Sequence, residues 1–337
     1  MDGVLIIDKP AGMTSHDVVA RVRRIIGERR VGHTGTLDPF ATGVLVMLVG
    51  RATRLAQFLS GAEKEYEAVI RLGYATDTGD MTGKRVDSSS PHAERGLGGE
   101  GRDEPQPHPQ SLPTRREGSM PDKEEIEAAM ASFTGEIEQV PPMYSAKKIG
   151  GRKLYEHARR GEEIERQPVH VTISEFELLN EGEWEWNEDG KLDLGARVVC
   201  SAGTYVRTLA EDLGKGLGVG AHLAELRRTR AGRFSIEDAI TLEELAERTA
   251  SASLLAGLIS PGEALSHLAS IELDEEQARR TVHGIDLLLA DDEARSWSQG
   301  DSICMTSRGE LIAIGTFDAN SNTIHPAVVI GTSPTAA

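Results

Sequence analysis

Cysteine is almost missing. The 337 residues contain only Cys200 and Cys304, too far apart in sequence for a metal knuckle and too few for a disulfide framework, so stability has to come from packing. Long apolar runs are missing too: no stretch approaches the ~18 uninterrupted apolar residues of a membrane span. The run Val4-Leu5-Ile6-Ile7 is short, has Asp2 and Asp8 on either side and lacks a basic region before it, unlike a secretory signal. A soluble, cytoplasmic protein with no membrane partner is expected. The phosphate loop G-x-x-x-x-G-K-[ST], the zinc helix H-E-x-x-H, the C-x-x-C pair and the G-x-S-x-G elbow are absent, which disfavours NTP turnover and metal hydrolysis. The run Gly214-Lys215-Gly216-Leu217-Gly218-Val219-Gly220 follows a helical pattern and reads as a helix–helix turn, not as a nucleotide cradle.

Positive charge is scarce overall. Against 54 Asp and Glu there are 37 Lys and Arg, a net charge of −17 that on average opposes a polyanionic partner. The average conceals sorting. Residues 234–337 hold 17 acids and 5 bases, whereas residues 1–74 hold 10 bases and 8 acids. Residues 141–160 carry six bases (Lys147, Lys148, Arg152, Lys153, Arg159, Arg160) against Glu156, and residues 227–233 carry four with no acid. This distribution suits phosphate contacts along selected loops, although a solvated face shows the same pattern.

Residues 87–120 contain five Gly, five Pro and five Ser and almost no large apolar side chain, so a disordered insertion is expected there. Around it, 4–7, 43–49, 66–72 and 195–200 read as strands. Residues 15–26 read as a capped helix closed by Gly27, and Asp122 as the N-cap of a helix that ends before Gly135. Apolar spacing predicts helices at 205–213, at 221–228 and over 241–259. The remainder, with 301–305, 310–315 and 327–330, reads as a small β-rich unit. Irregular interleaving favours a mixed α/β or α+β class, with a domain boundary near 245–270.

The densest chemical candidate is the loop Gly32-His33-Thr34-Gly35-Thr36-Leu37-Asp38-Pro39-Phe40-Ala41-Thr42-Gly43, between a basic helix and a buried strand. Pro39 restricts Asp38 toward extended geometry, and the glycines admit close approach by a bulky partner. Spacing alone equally allows Asp38 to cap a turn and His33 to be an ordinary turn histidine.

The segment RVGHTGTLDPFATG at 30–43 closely resembles the catalytic motif of the tRNA pseudouridine-55 synthase family, the bacterial TruB-type enzymes. Five further blocks resemble that family in the same order: LIIDKPAGMTSHDVV at 5–19, KEYEAVIRLGYATDTGD at 64–80, QVPPMYSAKKIGGRKLYEHARRG at 139–161, CSAGTYVRTLAEDLG at 200–214 and GAHLAELRRTRAGRF at 220–234. The resemblance implies a pseudouridine-synthase catalytic domain over 1–250, built on a mixed, mostly antiparallel sheet. Residues 265–337 resemble, more weakly, a PUA-type RNA-binding module.

By that resemblance Asp38 is the essential catalytic residue, attacking the base or sugar or abstracting a sugar proton; an ionised carboxylate suits either role. Tyr66 packs against a flipped base and has a possible part in proton movement, and Arg207 pairs with Asp38. His33, Tyr205, Leu226 and Lys9 bind substrate. Segment 139–161 closes over the T arm of tRNA, making Lys147, Lys148, Arg152, Lys153, Arg159 and Arg160, together with Arg227 and Arg228, candidates for the RNA backbone. The family implies base flipping, no cofactor, no metal, no guide RNA and a monomer. A tRNA-folding chaperone with secondary or lost catalysis is the alternative.

Overall fold

The computed structural model describes residues 1–86, 120–145, 147–158, 160–162, 164–179, 185–251, 257–290 and 296–331. The expected insertion at 87–120 therefore lies, except for Met120, outside the described residues.

Local chemistry sets the first helix, α1 (Ser15–Ile26). The Thr14 side chain accepts from the Asp17 amide while Asp17 accepts from the Thr14 amide, and Gly27 ends the helix at φ 69°. Strands β1 (Gly3–Lys9), β2 (Val31–His33), β3 (Thr42–Val49) and β4 (Lys64–Leu72) precede a short ribbon of β5 (Ala75–Thr76) and β6 (Arg85–Val86). They are followed by β7 (Gly135–Gln139), a second ribbon of β8 (Lys148–Ile149) and β9 (Arg152–Lys153), then β10 (Val169–Leu178), β11 (Leu192–Cys200), β12 (Ala221–Ala231) and β13 (Phe234–Ser235). The main sheet runs β1-β3-β12-β4-β11-β10-β7, with β2 on β3 and β13 on β12. All its pairings are antiparallel except that of β12 with β3.

Helices cover the sheet unevenly. After the short α2 (Ala56–Leu59), α3 (Lys123–Ser132) opens on the Asp122–Glu125 capping box, and α4 (Leu154–Ala158) follows the second ribbon. Helices α3 and α5 (Val206–Gly216) pack Ile126, Met130, Leu209 and Leu213 against Ile70, Leu194 and Leu223. Helices α1 and α6 (Leu242–Ala250) lie on the other end of the sheet, over Leu45, Met47 and Val49 of β3. The opposite side chains of that strand, Val44, Val46 and Leu48, meet Leu311, Ile314 and Ile330. Those residues belong to or adjoin the second sheet, which follows α7 (Pro261–Ala264). It is ordered β14 (Ala269–Glu272), β16 (Ser302–Ser307), β17 (Glu310–Asp318), β18 (Thr323–Val329), β15 (Leu287–Leu288), with α8 (Glu275–Val282) against it.

Two sequence expectations are corrected. Residues 221–228, expected to be helical, belong to β12, so the glycine run before it joins a helix to a strand. Strand β12 is central and covered on both faces, so Ala221, His222, Leu223 and Ala224 are all buried and the period-two signal disappears. The helix expected over 241–259 ends at Ala250 among the described residues, and Ile259 instead bridges to Val4.

Candidate active site

The loop 34–41 joins β2 to β3 where β3 and β12 run parallel, Thr42 beside Arg227 and Gly43 beside Arg228. Gly43 has φ +100°, and a Cβ there would lie 2.2 Å from the Arg228 carbonyl oxygen, so only glycine lets the two strands meet. Three side chains pin the loop. Ser15 Oγ accepts from the Leu37 amide (2.9 Å) and donates to the Leu37 carbonyl (3.1 Å). Lys9 Nζ donates to Pro10 O at 2.8 Å and Pro39 O at 3.3 Å. Arg228 donates from Nε to Val44 O at 2.7 Å and from Nη2 to Gly35 O at 3.1 Å.

Asp38 stands on this loop with its side chain 32% exposed and meets Arg207, 5% exposed, at two points: Nε to Oδ2 at 2.9 Å and Nη2 to Oδ1 at 3.1 Å. Arg207 comes from the first turn of α5. The helix start is held by Gln139, which accepts from the Tyr205 amide (2.9 Å) and donates to the Tyr205 carbonyl (3.3 Å). The remaining guanidinium donors reach Thr78 O at 2.9 Å and Tyr144 O at 2.8 Å, and Nη1 faces buried Asp80 at 3.8 Å. Arg207 is thus held by Thr78, Tyr144 and Asp80 while Nε and Nη2 face Asp38. Burial pushes the Asp38 carboxyl above the usual carboxylate range; Arg207 opposes this, Asp80 adds to it and Lys9 pulls back.

The other expected substrate residues fall on two levels. Tyr66 of β4 and Leu226 of β12 are buried in one cluster with Leu37 and Ala41 of the loop, and burial raises the Tyr66 phenol above its ordinary value. Tyr205 is half-buried at the head of α5, and burial likewise raises its phenol. His33 lies edge-on to His16 with ring centres 5.7 Å apart; its Nδ1 is buried without a partner, and burial lowers its pKa, so the ring is neutral at neutral pH. Lys9 is fully enclosed beneath the loop and holds its backbone, away from any open surface, which corrects the expectation that it touches substrate.

Among the expected backbone ligands, Lys148, Arg152 and Arg160 are exposed and Lys147 and Lys153 half-buried; Arg159 lies outside the described residues. Lys153 stacks 5.4 Å from the Tyr155 ring centre. Arg227 is partly exposed but paired with Asp8 at 2.8 Å. Arg228 is a correction: at 2% exposure, donating to the Val44 and Gly35 carbonyls and hydrogen-bonded to the Tyr66 side chain, it is enclosed as a pin for the loop and does not face an outside phosphate. Sequence reasoning missed Ser15, Gln139 and Asp80. All three stand inside the quoted blocks, but their residue types alone signal no role. Among the described residues no group of three or more His, Cys, Asp and Glu stands close enough to hold a metal, and no helix is long and apolar enough to cross a membrane.

Known proteins share both sequence and architecture with this chain. The family model described as TruB family pseudouridylate synthase (N terminal domain) matches residues 23–96 and 108–206, and that of the tRNA pseudouridylate synthase B C-terminal domain matches 207–266. The tRNA pseudouridine synthase B of Geobacillus kaustophilus (strain HTA426) is 45% identical over 284 residues, 84% of this chain and 90% of that one. Its namesake from Bacillus anthracis is 43% identical over 285 residues, 85% of this chain and 84% of that one. Among solved structures, a Cbf5-Nop10-Gar1 complex aligns with TM-score 0.66 and 27% identity over 98% of this chain and 84% of that one. An archaeal box H/ACA sRNP Nop10-Cbf5 complex aligns with TM-score 0.65 and 26% identity over 97% and 85%.

Proposed function

The chain belongs to the TruB family of pseudouridylate synthases, and from that premise we propose that it isomerises uridine 55 in the T loop of tRNA to pseudouridine, with Asp38 as the essential carboxylate. The observation that carries the assignment is the two-point Arg207–Asp38 pair, which leaves one carboxylate oriented and a third exposed on an open loop. In the reaction the N1–C1′ bond breaks, C5 becomes bonded to C1′, the C5 proton departs and N1 takes up a proton, so no oxidant or reductant is consumed. An ionised carboxylate serves as nucleophile or as base while charge develops on the detached ring.

The target base is stacked inside a folded loop and has to leave it before C5 is within reach. Tyr66, Leu226 and Tyr205 supply an aromatic and apolar wall beside Asp38, and the half-buried His33 stands next to the loop as a contact for a nucleotide beside the flipped base. Lys147, Lys148, Arg152, Lys153 and Arg160 on the ribbon and α4 region take T-arm phosphates. The enzyme works as a single chain without a guide RNA: its identity to synthases named for tRNA is 43–45%, against 26–27% to the Cbf5 chains. We read the five-stranded C-terminal sheet as a PUA-like module following a catalytic domain that ends near residue 250.

Tritium release from a [5-³H]uridine-labelled tRNA transcript, with the modified position mapped by a pseudouridine-specific adduct, tests this. Wild type should release tritium at one T-loop uridine, while Asp38→Asn should bind tRNA and release none. A folded wild-type protein that binds tRNA without releasing tritium would instead support the folding-chaperone alternative.

A further inference from the structure

The half-buried arginines Arg51, Arg71, Arg197 and Arg227 find acids, in Asp2, Asp193, Glu65 and Asp8, and of the exposed ones Arg160, Arg279 and Arg308 do so as well, whereas others, Arg85 and Arg152 among them, form no ion pair among the described residues. Arg21 and Arg24 on α1, and Arg29 and Arg30 just after it, belong to this second set and are grouped within ten residues of the chain. All four are exposed, and none forms an ion pair among the described residues. Helix α6 packs beside α1 and carries Glu243, Glu244 and Glu247, yet none of these acids pairs with them. Favourable interaction with the helix C-terminus accounts for Arg24 in the last turn. It does not account for Arg21 in mid-helix or for Arg29 and Arg30 beyond Gly27.

The geometry connects this cluster to the active site. On α1, residues 16, 20, 23, 24 and 27 share one face at spacings of three and four, with Arg21 flanking that face three residues before Arg24, and the face begins at His16, whose ring lies against His33. It ends in a shallow depression lined by Ala20, Arg23, Arg24, Gly27, Glu28 and Arg29. At ~1.5 Å of rise per residue, Arg21 and Arg24 stand about 8 and 12 Å along the axis from His16. Strand β2 returns from Arg30 to His33 in three residues, about 10 Å. Arg23 ties helix to strand by donating to Val31 O at 2.7 Å, so the cluster has a set position relative to the loop. Helix α1 covers the side of β3 opposite the one on which Leu311, Ile314 and Ile330 pack, so this basic face is turned away from the C-terminal sheet and its acids.

We propose that Arg21, Arg24, Arg29 and Arg30 form a second phosphodiester track for the substrate tRNA, leading away from His33 along α1 and separate from the ribbon that takes the T arm. The track rests on the proposed tRNA substrate and adds where a second stretch of its backbone lies. Flexible, unpaired guanidinium groups suit phosphates, and each contact releases counterions, so the track has an ionic-strength signature.

The test is binding of a full-length tRNA transcript to the Asp38→Asn protein across a KCl series, with and without Arg21→Gln, Arg24→Gln, Arg29→Gln and Arg30→Gln together. The fourfold variant should lose at least tenfold in affinity at about 0.1 M salt. Its log K against log[salt] slope should be shallower by about 3, from ~0.7–0.9 per lost phosphate contact. Replacing the same four by Lys should keep most of the slope, and Arg279→Gln with Arg280→Gln, on α8, should leave it unchanged. An unaltered slope in the fourfold Gln variant, with or without a loss of affinity, overturns the track and points to solvated charge or an acidic protein partner. Tritium release by wild type reports separately on the isomerase: release with an unaltered slope removes the track alone, and a shallower slope without release keeps the track and removes the isomerase.

Discussion

The role proposed for Asp38 needs a charged carboxylate, and burial opposes that charge. Its pKa is raised above the ordinary carboxylate value, so under that proposal kcat/KM should be present above the raised pKa and be lost as pH falls through it, beginning at higher pH than for a solvent-exposed Asp near ~3.9. Lys9 pulls the carboxyl down from beneath the loop, so Lys9→Met should move the acid limb to higher pH, which a pH–rate profile for the two proteins measures. Lys9 is itself depressed by burial to about 8 from its ordinary 10.5. Between those values the unfolded chain binds the proton more tightly than the folded one, so wild-type stability gains a Lys9 contribution as pH rises from 8 to 10.5. Urea unfolding across that range should show wild type gaining on Lys9→Met.

The loop that carries Asp38 has no regular structure of its own, and its precision is borrowed from the elements around it: α1 through Ser15, β1 through Lys9, β12 through Arg228 and α5 through Arg207. Ser15→Ala leaves both the amide and the carbonyl of Leu37 without their partner in a buried site, at a cost of ~1–3 kcal/mol. Because Leu37 precedes Asp38, the same change should lower kcat by about 10- to 100-fold through misplacement, seen as slower single-turnover tritium release. Helices α1 and α3 were legible in the sequence because their capping boxes are written within four consecutive residues. Strand β12 was not: burial on both faces erased its alternation, and the loop's dependence on its Arg228 involves residues 193 positions apart.

At the scale of the whole molecule, β1 and β3 are sandwiched between α1 with α6 on one side and the C-terminal sheet on the other. Ile314, 1% exposed, sits in the cluster that joins the two sheets. Ile314→Ala should cost ~2–5 kcal/mol in chemical denaturation. At temperatures well below the unfolding midpoint it should leave the single-turnover rate nearly unchanged, since that cluster contains neither Asp38 nor Arg207. The acids of the C-terminal sheet stand on one side of β3, and the arginines of α1 stand on the other together with Glu243, Glu244 and Glu247 of α6.

The sequence by itself determined the mixed α/β class, seven of the strands, the capped helices and, through six ordered blocks, the family, because caps, periodicity and motif spacing are properties of neighbours along the chain. Tertiary structure alone decided that two basic residues of similar appearance part ways: Arg228 is enclosed as a pin for the loop, while Arg152 faces solvent. It alone brought Asp80 behind Arg207 and put Lys9 beneath Pro39. Burial and long-range pairing set the electrostatics of such groups, and both depend on segments that meet only once the sheet has closed.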